Sequence, residues 1–225
     1  MADGRVLLIT GGSTGIGAAT ARAAVQAGWR VALGARGLDK LEALADELGE
    51  AALAVSCDVT EEGSQQRMVD RTIERFGRLD AAFANAGHGV STPGIEEGEY
   101  ENWRSMVLTN VLGVAVTAKV TMPHLREARG HFLATGSRAG RVTLPGSLYG
   151  ATKWAVLGYL RNLRAGLDGT GVRVTEIAPG MVDTPFFDEA KPDALRDEDV
   201  ARAVLYALSQ PENVNVAVIE VSPLG

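Results

Sequence analysis

Seven short apolar or β-branched runs, at residues 6–9, 31–35, 51–56, 79–84, 131–135, 172–177 and 214–221, recur along the chain with longer stretches between them. Two of those stretches, 38–48 and 65–76, carry apolar residues at helical spacing, and Gly28, Gly49, Gly77 and Gly169 supply helix stops. A strand, a helix and a second parallel strand connect through a right-handed crossover, so sustained alternation builds a mostly parallel sheet with helices on both faces. Strands covered on both sides need near-continuous apolar character, which these runs have. The expected fold is a doubly wound, mostly parallel, seven-stranded α/β sheet in one domain over residues 1–225. Ligands of such sheets bind beyond the carboxyl ends of the strands, near the point where strand order reverses. Polar residues just after each run are therefore the ones to search.

Composition narrows the partners. The chain has 225 residues, 46% of them hydrophobic, enough for one sizeable core. Its formal net charge of -6 gives no cationic footprint for a phosphate backbone, so nucleic acid is not an expected partner. The single cysteine, Cys57, cannot form an internal disulfide. His88, His124 and His131 have no tight ligand spacing with it or with one another, so no metal is expected. The start, from Met1 through Asp3 and Arg5, lacks the order of a secretory leader. The most apolar long region, 107–122, is interrupted by Asn110 and Lys119 and is short for a bilayer. It reads as a buried helix, which makes a cytoplasmic protein without a membrane partner the expectation. The Pro- and acid-rich segment 184–199 reads as one mobile surface excursion.

The first run opens directly into Thr10-Gly11-Gly12-Ser13-Thr14-Gly15-Ile16-Gly17, followed by an alanine-rich helical stretch. Glycines allow a tight turn and a close backbone approach to a pyrophosphate, whose charge is favoured by the N–H groups and positive dipole of the helix start. Gly17 also permits close contact between helix and sheet. A bare strand-to-helix turn would explain the glycines equally well, so the loop needs support from elsewhere.

That support is Tyr149 and Lys153, four apart and on one face of a helix. Four tyrosines and four lysines in this chain would give roughly 0.07 such pairs by chance, so the spacing carries weight without deciding the matter. A tyrosine exchanges protons with an alcohol near neutral pH only if its phenol, normally near pKa 10, titrates lower, and a neighbouring ammonium favours that. Ser137 follows the fifth run, 12 residues before Tyr149, and offers a hydroxyl for a substrate oxygen or simply a turn. Asn110 lies in an apolar helix, where it either satisfies a kink or does chemistry. Cys57 reads as a small buried hydrophobe, and His88 as a loop residue near the cleft.

The ordered set Thr10 to Gly17, Asp58, Asn85-Ala86-Gly87, Asn110, Ser137, Tyr149 with Lys153, and Pro179-Gly180 resembles the short-chain dehydrogenase/reductase family and covers nearly the whole chain. The resemblance implies a Rossmann-like fold and a nicotinamide cofactor held by Gly11, Ser13, Thr14, Gly15, Ile16 and Gly17. It implies Asp58 and Val59 at the adenine, Asn85, Ala86 and Gly87 beside the cofactor, and Pro179, Gly180, Val182 and Thr184 at the nicotinamide carboxamide. Tyr149 would be the acid and base, Lys153 would tune it and touch the ribose, Ser137 would orient the oxygen, and Asn110 would position a relay water. The Ser137 to Tyr149 spacing is one residue shorter than in many members.

The second run ends in Ala35-Arg36, with no carboxylate to accept from a ribose 2′-hydroxyl, so Arg36 points to NADP over NAD, with NAD still usable. The expected activity is hydride transfer between NADP(H) and a small-molecule alcohol or carbonyl substrate. An isomerase or dehydratase without net redox and a non-catalytic dinucleotide sensor are the alternatives. Substrate choice is expected to lie in the loops 89–100, 140–146 and 186–197. Apolar helical stretches at 103–125 and 147–167 point to a homodimer or homotetramer.

Overall fold

A computed structural model describes residues 4–89, 94–187 and 189–224. Residues 1–3, on which the leader reading rests, lie outside that range, as do residues 90–93 of one predicted specificity loop and Asp188 of another.

Strands β1 (Val6–Thr10), β2 (Arg30–Ala35), β3 (Ala52–Ser56), β4 (Ala81–Ala84), β5 (His131–Thr135), β6 (Arg173–Pro179) and β9 (Val218–Val221) form one sheet in the order β3-β2-β1-β4-β5-β6-β9. Every pairing in it is parallel. This is the doubly wound Rossmann-like sheet that the alternation predicts. Its order reverses between β1 and β4, which opens a crevice beyond their carboxyl ends. Helices α1 (Gly15–Gln26), α2 (Leu38–Leu48) and α7 (Asp197–Ser209) cover one face, where Leu7, Ile9, Leu33, Phe83 and Val204 are packed. Helices α3 (Glu62–Phe76), α5 (Val114–Ala128) and α6 (Leu148–Gly166) cover the other, around Leu8, Met68, Phe132, Val156 and Leu160. Helix α3 starts three residues before the predicted stretch and stops at Gly77, whose φ of 76° is the left-handed conformation that glycine adopts without strain.

The long apolar helix differs from its prediction. It is a continuous helical run from α4 (Tyr100–Val107) through a π-helical turn (Leu108–Gly113) into α5, and its 29 residues would by length and composition suffice to cross a membrane. Its inner face is part of the core instead, with Met106, Val114, Ala118, Val120 and Leu125 buried. The last strand is shorter than predicted, because 214–217 bond through side chains and isolated carbonyls rather than through a regular ladder. Asn215 Oδ1 accepts from Val174 N at 2.7 Å, and the Val216 carbonyl accepts from Thr175 Oγ1 at 2.6 Å. The excursion predicted at 184–199 is closed rather than loose. Short strands β7 (Val182–Asp183) and β8 (Leu195–Arg196) pair across its base, Lys191 N donates to Asp183 Oδ1, and α7 begins at Asp197.

Candidate active site

A cleft of about 610 Å³ opens where the strand order reverses. Arg36, Gly37, Asp58 and Val59 border it, the glycine turn from Gly11 to Ile16 forms another stretch, and Ser137, Tyr149, Lys153, Pro179, Gly180, Val182 and Thr184 line the remainder. All these sequence-predicted residues therefore face one space. Two others lie behind it: Gly17, on the first turn of α1, and buried Asn110.

The turn is shaped for backbone exposure. Gly11 has φ 64° and Gly15 φ 51°, both left-handed. A Cβ on Gly17 would stand 2.1 Å from the Gly11 carbonyl oxygen, so only glycine lets α1 start this close to the loop. Thr14 caps α1 without a side-chain hydrogen bond, and no acidic residue occupies the first turn. The free N–H groups there suit an anion. Thr10 and Asn85 brace this floor: Thr10 Oγ1 accepts from the N–H groups of Asn85 and Ala86, Asn85 Nδ2 donates to the Gly11 carbonyl, and Thr135 Oγ1 donates to Asn85 Oδ1. One amide side chain thus joins the ends of β1, β4 and β5.

Tyr149 and Lys153 stand on the first turns of α6, whose N-cap Ser147 accepts from Gly150 N at 3.1 Å. Lys153 Nζ lies 5.7 Å from the Tyr149 ring centre and donates to the Thr135 carbonyl at 2.9 Å. Burial pushes this ammonium down to about 8, while the carboxylate of Glu176 works the other way. The chain's own groups do not lower the Tyr149 phenol. Burial raises it, and the hydrogen bond from Ser137 opposes that only in part. The protein's own groups therefore keep the phenol protonated at neutral pH. Ser137 follows β5, where Ala139 N donates to its Oγ at 3.0 Å. Asp58 is lowered by the backbone N–H of Thr60, then by its hydroxyl, with Arg36 adding a smaller push in the same direction.

Asn110 sits inside the π-helical turn, a local irregularity that often marks a functional position. Its Oδ1 accepts from His88 N at 3.0 Å, and its Nδ2 donates to the His88 carbonyl at 2.9 Å and to Thr152 Oγ1 at 3.2 Å. The amide thereby fastens the loop after β4 to α6, one residue before Lys153. Cys57 is buried, and burial pushes its thiol up to about 11, which makes it the inert small hydrophobe expected.

The short chain dehydrogenase family profile matches residues 5–195. The chain belongs to the short-chain dehydrogenase family. An uncharacterized oxidoreductase of Staphylococcus haemolyticus is 38% identical over 228 residues, which cover 99% of this chain and 98% of that protein. Sulfoacetaldehyde reductase 2 of Chromohalobacter salexigens is 37% identical, over 97% of this chain and 94% of its own. Among solved structures, an alcohol dehydrogenase from the archaeon Thermococcus sibiricus, complexed with 5-hydroxy-NADP, superimposes with a TM-score of 0.91 at 33% identity, covering 98% of this chain and 97% of that one.

In this short-chain dehydrogenase three features of the site escape sequence reasoning. Glu176, on β6, is 1% exposed and is gripped by Arg141 through bonds of 2.7 and 2.6 Å. A Cβ on Gly136 would meet Glu176 Oε1 at 2.0 Å, so the pair lies directly under the turn that carries Ser137. A lone acid within an apolar run was the available signal. His88 Nε2 pairs with Ser105 Oγ at 3.1 Å across the cleft wall, which places α4 at the site. Phe186 packs on Tyr149 from the start of the 186–197 loop, which the sequence assigns to substrate choice without revealing that contact.

Proposed function

We propose that the chain is a nicotinamide-dependent oxidoreductase that interconverts a secondary alcohol and its carbonyl compound, prefers NADP(H) to NAD(H), and uses Tyr149 as general acid and base. The observation that carries this reading is a convergence: Ser137, Tyr149 and Lys153 line the same cleft as an uncapped helix start, its glycine turn and Arg36. The glycine turn fits a pyrophosphate, since Gly17 lets α1 start against the Gly11 carbonyl and the uncapped N–H groups of its first turn suit an anion.

Gly11, Ser13, Thr14, Gly15 and Ile16 would hold the pyrophosphate, with Gly17 allowing the approach. Asp58 and Val59 would hold the adenine, and Arg36 a ribose 2′-phosphate through charge-assisted bonds. Asn85, Ala86 and Gly87 would flank the central portion, and Pro179, Gly180, Val182 and Thr184 the carboxamide. When bound, the nicotinamide supplies a hydride to the carbonyl carbon in reduction, or accepts one from the alcohol carbon in oxidation.

The remaining work belongs to the chain's own residues. Ser137 donates to the substrate oxygen and orients it. In reduction the Tyr149 hydroxyl gives its proton to the forming alkoxide, and in oxidation the phenolate takes the alcohol proton. Lys153 holds positive charge beneath the phenol, and Asn110 fixes the geometry between the β4 loop and α6. A phenol raised by burial suits the acid role at neutral pH, so reduction should fall and oxidation rise as pH climbs toward the phenol's value.

Tyr149→Phe tests the assignment. It should abolish turnover, followed by reduced-nicotinamide absorbance, while fluorescence titration finds cofactor affinity nearly unchanged. Activity within tenfold of the wild type would refute it.

A further inference from the structure

Aromatic rings stand against the proton-transfer residue. The Phe186 ring lies 5.7 Å from the Tyr149 ring centre with a tilt of 60°, and 5.1 Å from Phe187 at 71°. Its far edge approaches the loop after β4, where a Cβ on Gly89 would meet Phe186 Cζ at 3.0 Å. The three rings thus line one wall of the cleft from α6 to that loop, yet Phe186 remains 40% exposed. Exposed aromatic surface inside a cleft is stabilised by an apolar group that covers it. Two more exposed apolar side chains lie about the approach to α6, outside the cleft lining: Ile95 beside Gly146, and Leu144 beside Gly150, the residue after Tyr149.

The cations that line the cleft away from Arg36 are already engaged. Lys153 Nζ bonds the Thr135 carbonyl, and Arg104 pairs with Glu101 at 3.4 Å. The His88 ring nitrogens contact the Gly89 carbonyl and Ser105 Oγ. Outside the cleft lining, Lys191 above Phe187 has Glu189 at 3.7 Å. A carboxylate or sulfonate on the substrate would share each of these cations with a partner already in place, whereas a ring would meet apolar edges directly.

We infer that the substrate is an uncharged ketone or secondary alcohol carrying an aryl group beside the reacting carbon, seated against Phe186. This rests on the oxidoreductase reading above and names its substrate class. The probes are acetophenone, butanone and sulfoacetaldehyde, each reduced with NADPH by the wild type and by Phe186→Ala. Acetophenone binding is also followed by saturation-transfer NMR in the presence of NADP+. Acetophenone should show the highest kcat/KM, and Phe186→Ala should lower the acetophenone-to-butanone ratio by roughly two- to twelvefold, the range of one aromatic pair. A higher kcat/KM for sulfoacetaldehyde than for acetophenone, or an unchanged ratio in the variant, overturns the substrate class and leaves the oxidoreductase reading intact. Absence of any absorbance change with all three probes overturns the oxidoreductase reading instead. In that case phenyl saturation that weakens in Phe186→Ala still supports an aryl site, and its absence overturns that too.

Discussion

Replacing Arg141 by methionine would strand a charge. Glu176 is 1% exposed, and its two carboxylate oxygens accept from Arg141 Nη1 and Nη2 at 2.7 and 2.6 Å. Arg141 is itself 19% exposed and reaches Glu220 through Nε at 2.7 Å. Removing one partner of a buried pair costs about 3–5 kcal/mol, because the other charge remains desolvated without compensation. At about 2–4 °C per kcal/mol for a chain of this size, Arg141→Met should melt roughly 6–20 °C below the wild type. Glu176→Gln should cost less, since the guanidinium keeps Glu220 and some solvent. The double variant Arg141→Met, Glu176→Met should recover most of the loss, as an apolar pair of similar volume often replaces a buried ion pair without penalty. Glu220, 51% exposed, then loses only a solvated partner. Urea unfolding followed by tryptophan fluorescence measures all three variants. An Arg141→Met protein within about 1 kcal/mol of the wild type, or a double variant no better than the single, would refute the buried-charge argument.

Three further outcomes are expected. Arg36→Asp should raise the KM for NADPH far more than that for NADH, and a wild type with higher kcat/KM on NADH would show that Arg36 does not read a 2′-phosphate. His131, buried at the start of β5 and bonded through Nε2 to Thr175 Oγ1 at 2.7 Å, is pushed down to about 3 by burial, with Arg173 adding to it. Its folded value lies below the unfolded 6.5, so its contribution is complete above pH 6.5 and is lost as pH falls toward about 3. The stability gap between wild type and His131→Gln should therefore shrink over that window, and a constant gap in urea unfolding would contradict it. Val107 and Leu112 on the long helical run and Trp154 on α6 are exposed and apolar, so light scattering should give a homodimer or homotetramer at micromolar concentration, and a monomer would refute this.

What the chain declares in one dimension is whatever repeats locally. Strand and helix have different apolar periods, so the sheet is legible from alternation alone. Tyr149 and Lys153 are legible because a helix puts positions four apart on one face. The glycine turn is legible because few residues other than glycine accept φ 64° at Gly11. Contacts between distant segments leave no such mark. Arg141 and Glu176 are 35 residues apart, and only the three-dimensional packing reveals that they neutralise each other. The setting of the phenol is hidden for a related reason: an ammonium four residues away is visible in sequence, whereas the burial that raises the phenol is not. The last strand extends too far in the sequence pattern because Val214 and Val216 look like strand residues. Asn215 and the Val216 carbonyl instead satisfy β6 one bond at a time.

The position of β9 at the sheet edge has a consequence for how firmly the cleft is held. Every predicted cleft residue, from Gly11 to Thr184, lies well before Val218 in the chain. Yet β6, which carries Glu176 and ends in Pro179, takes its outer ladder from β9, and Gly180 N donates to the Val221 carbonyl at 2.7 Å. Glu220 on the same strand is the second anchor of Arg141. Without β9 the strand that ends in Pro179 would keep a ladder on one side only, and Arg141 would lose its second carboxylate. One wall of the cleft is thus only as firm as a strand none of whose residues lines it.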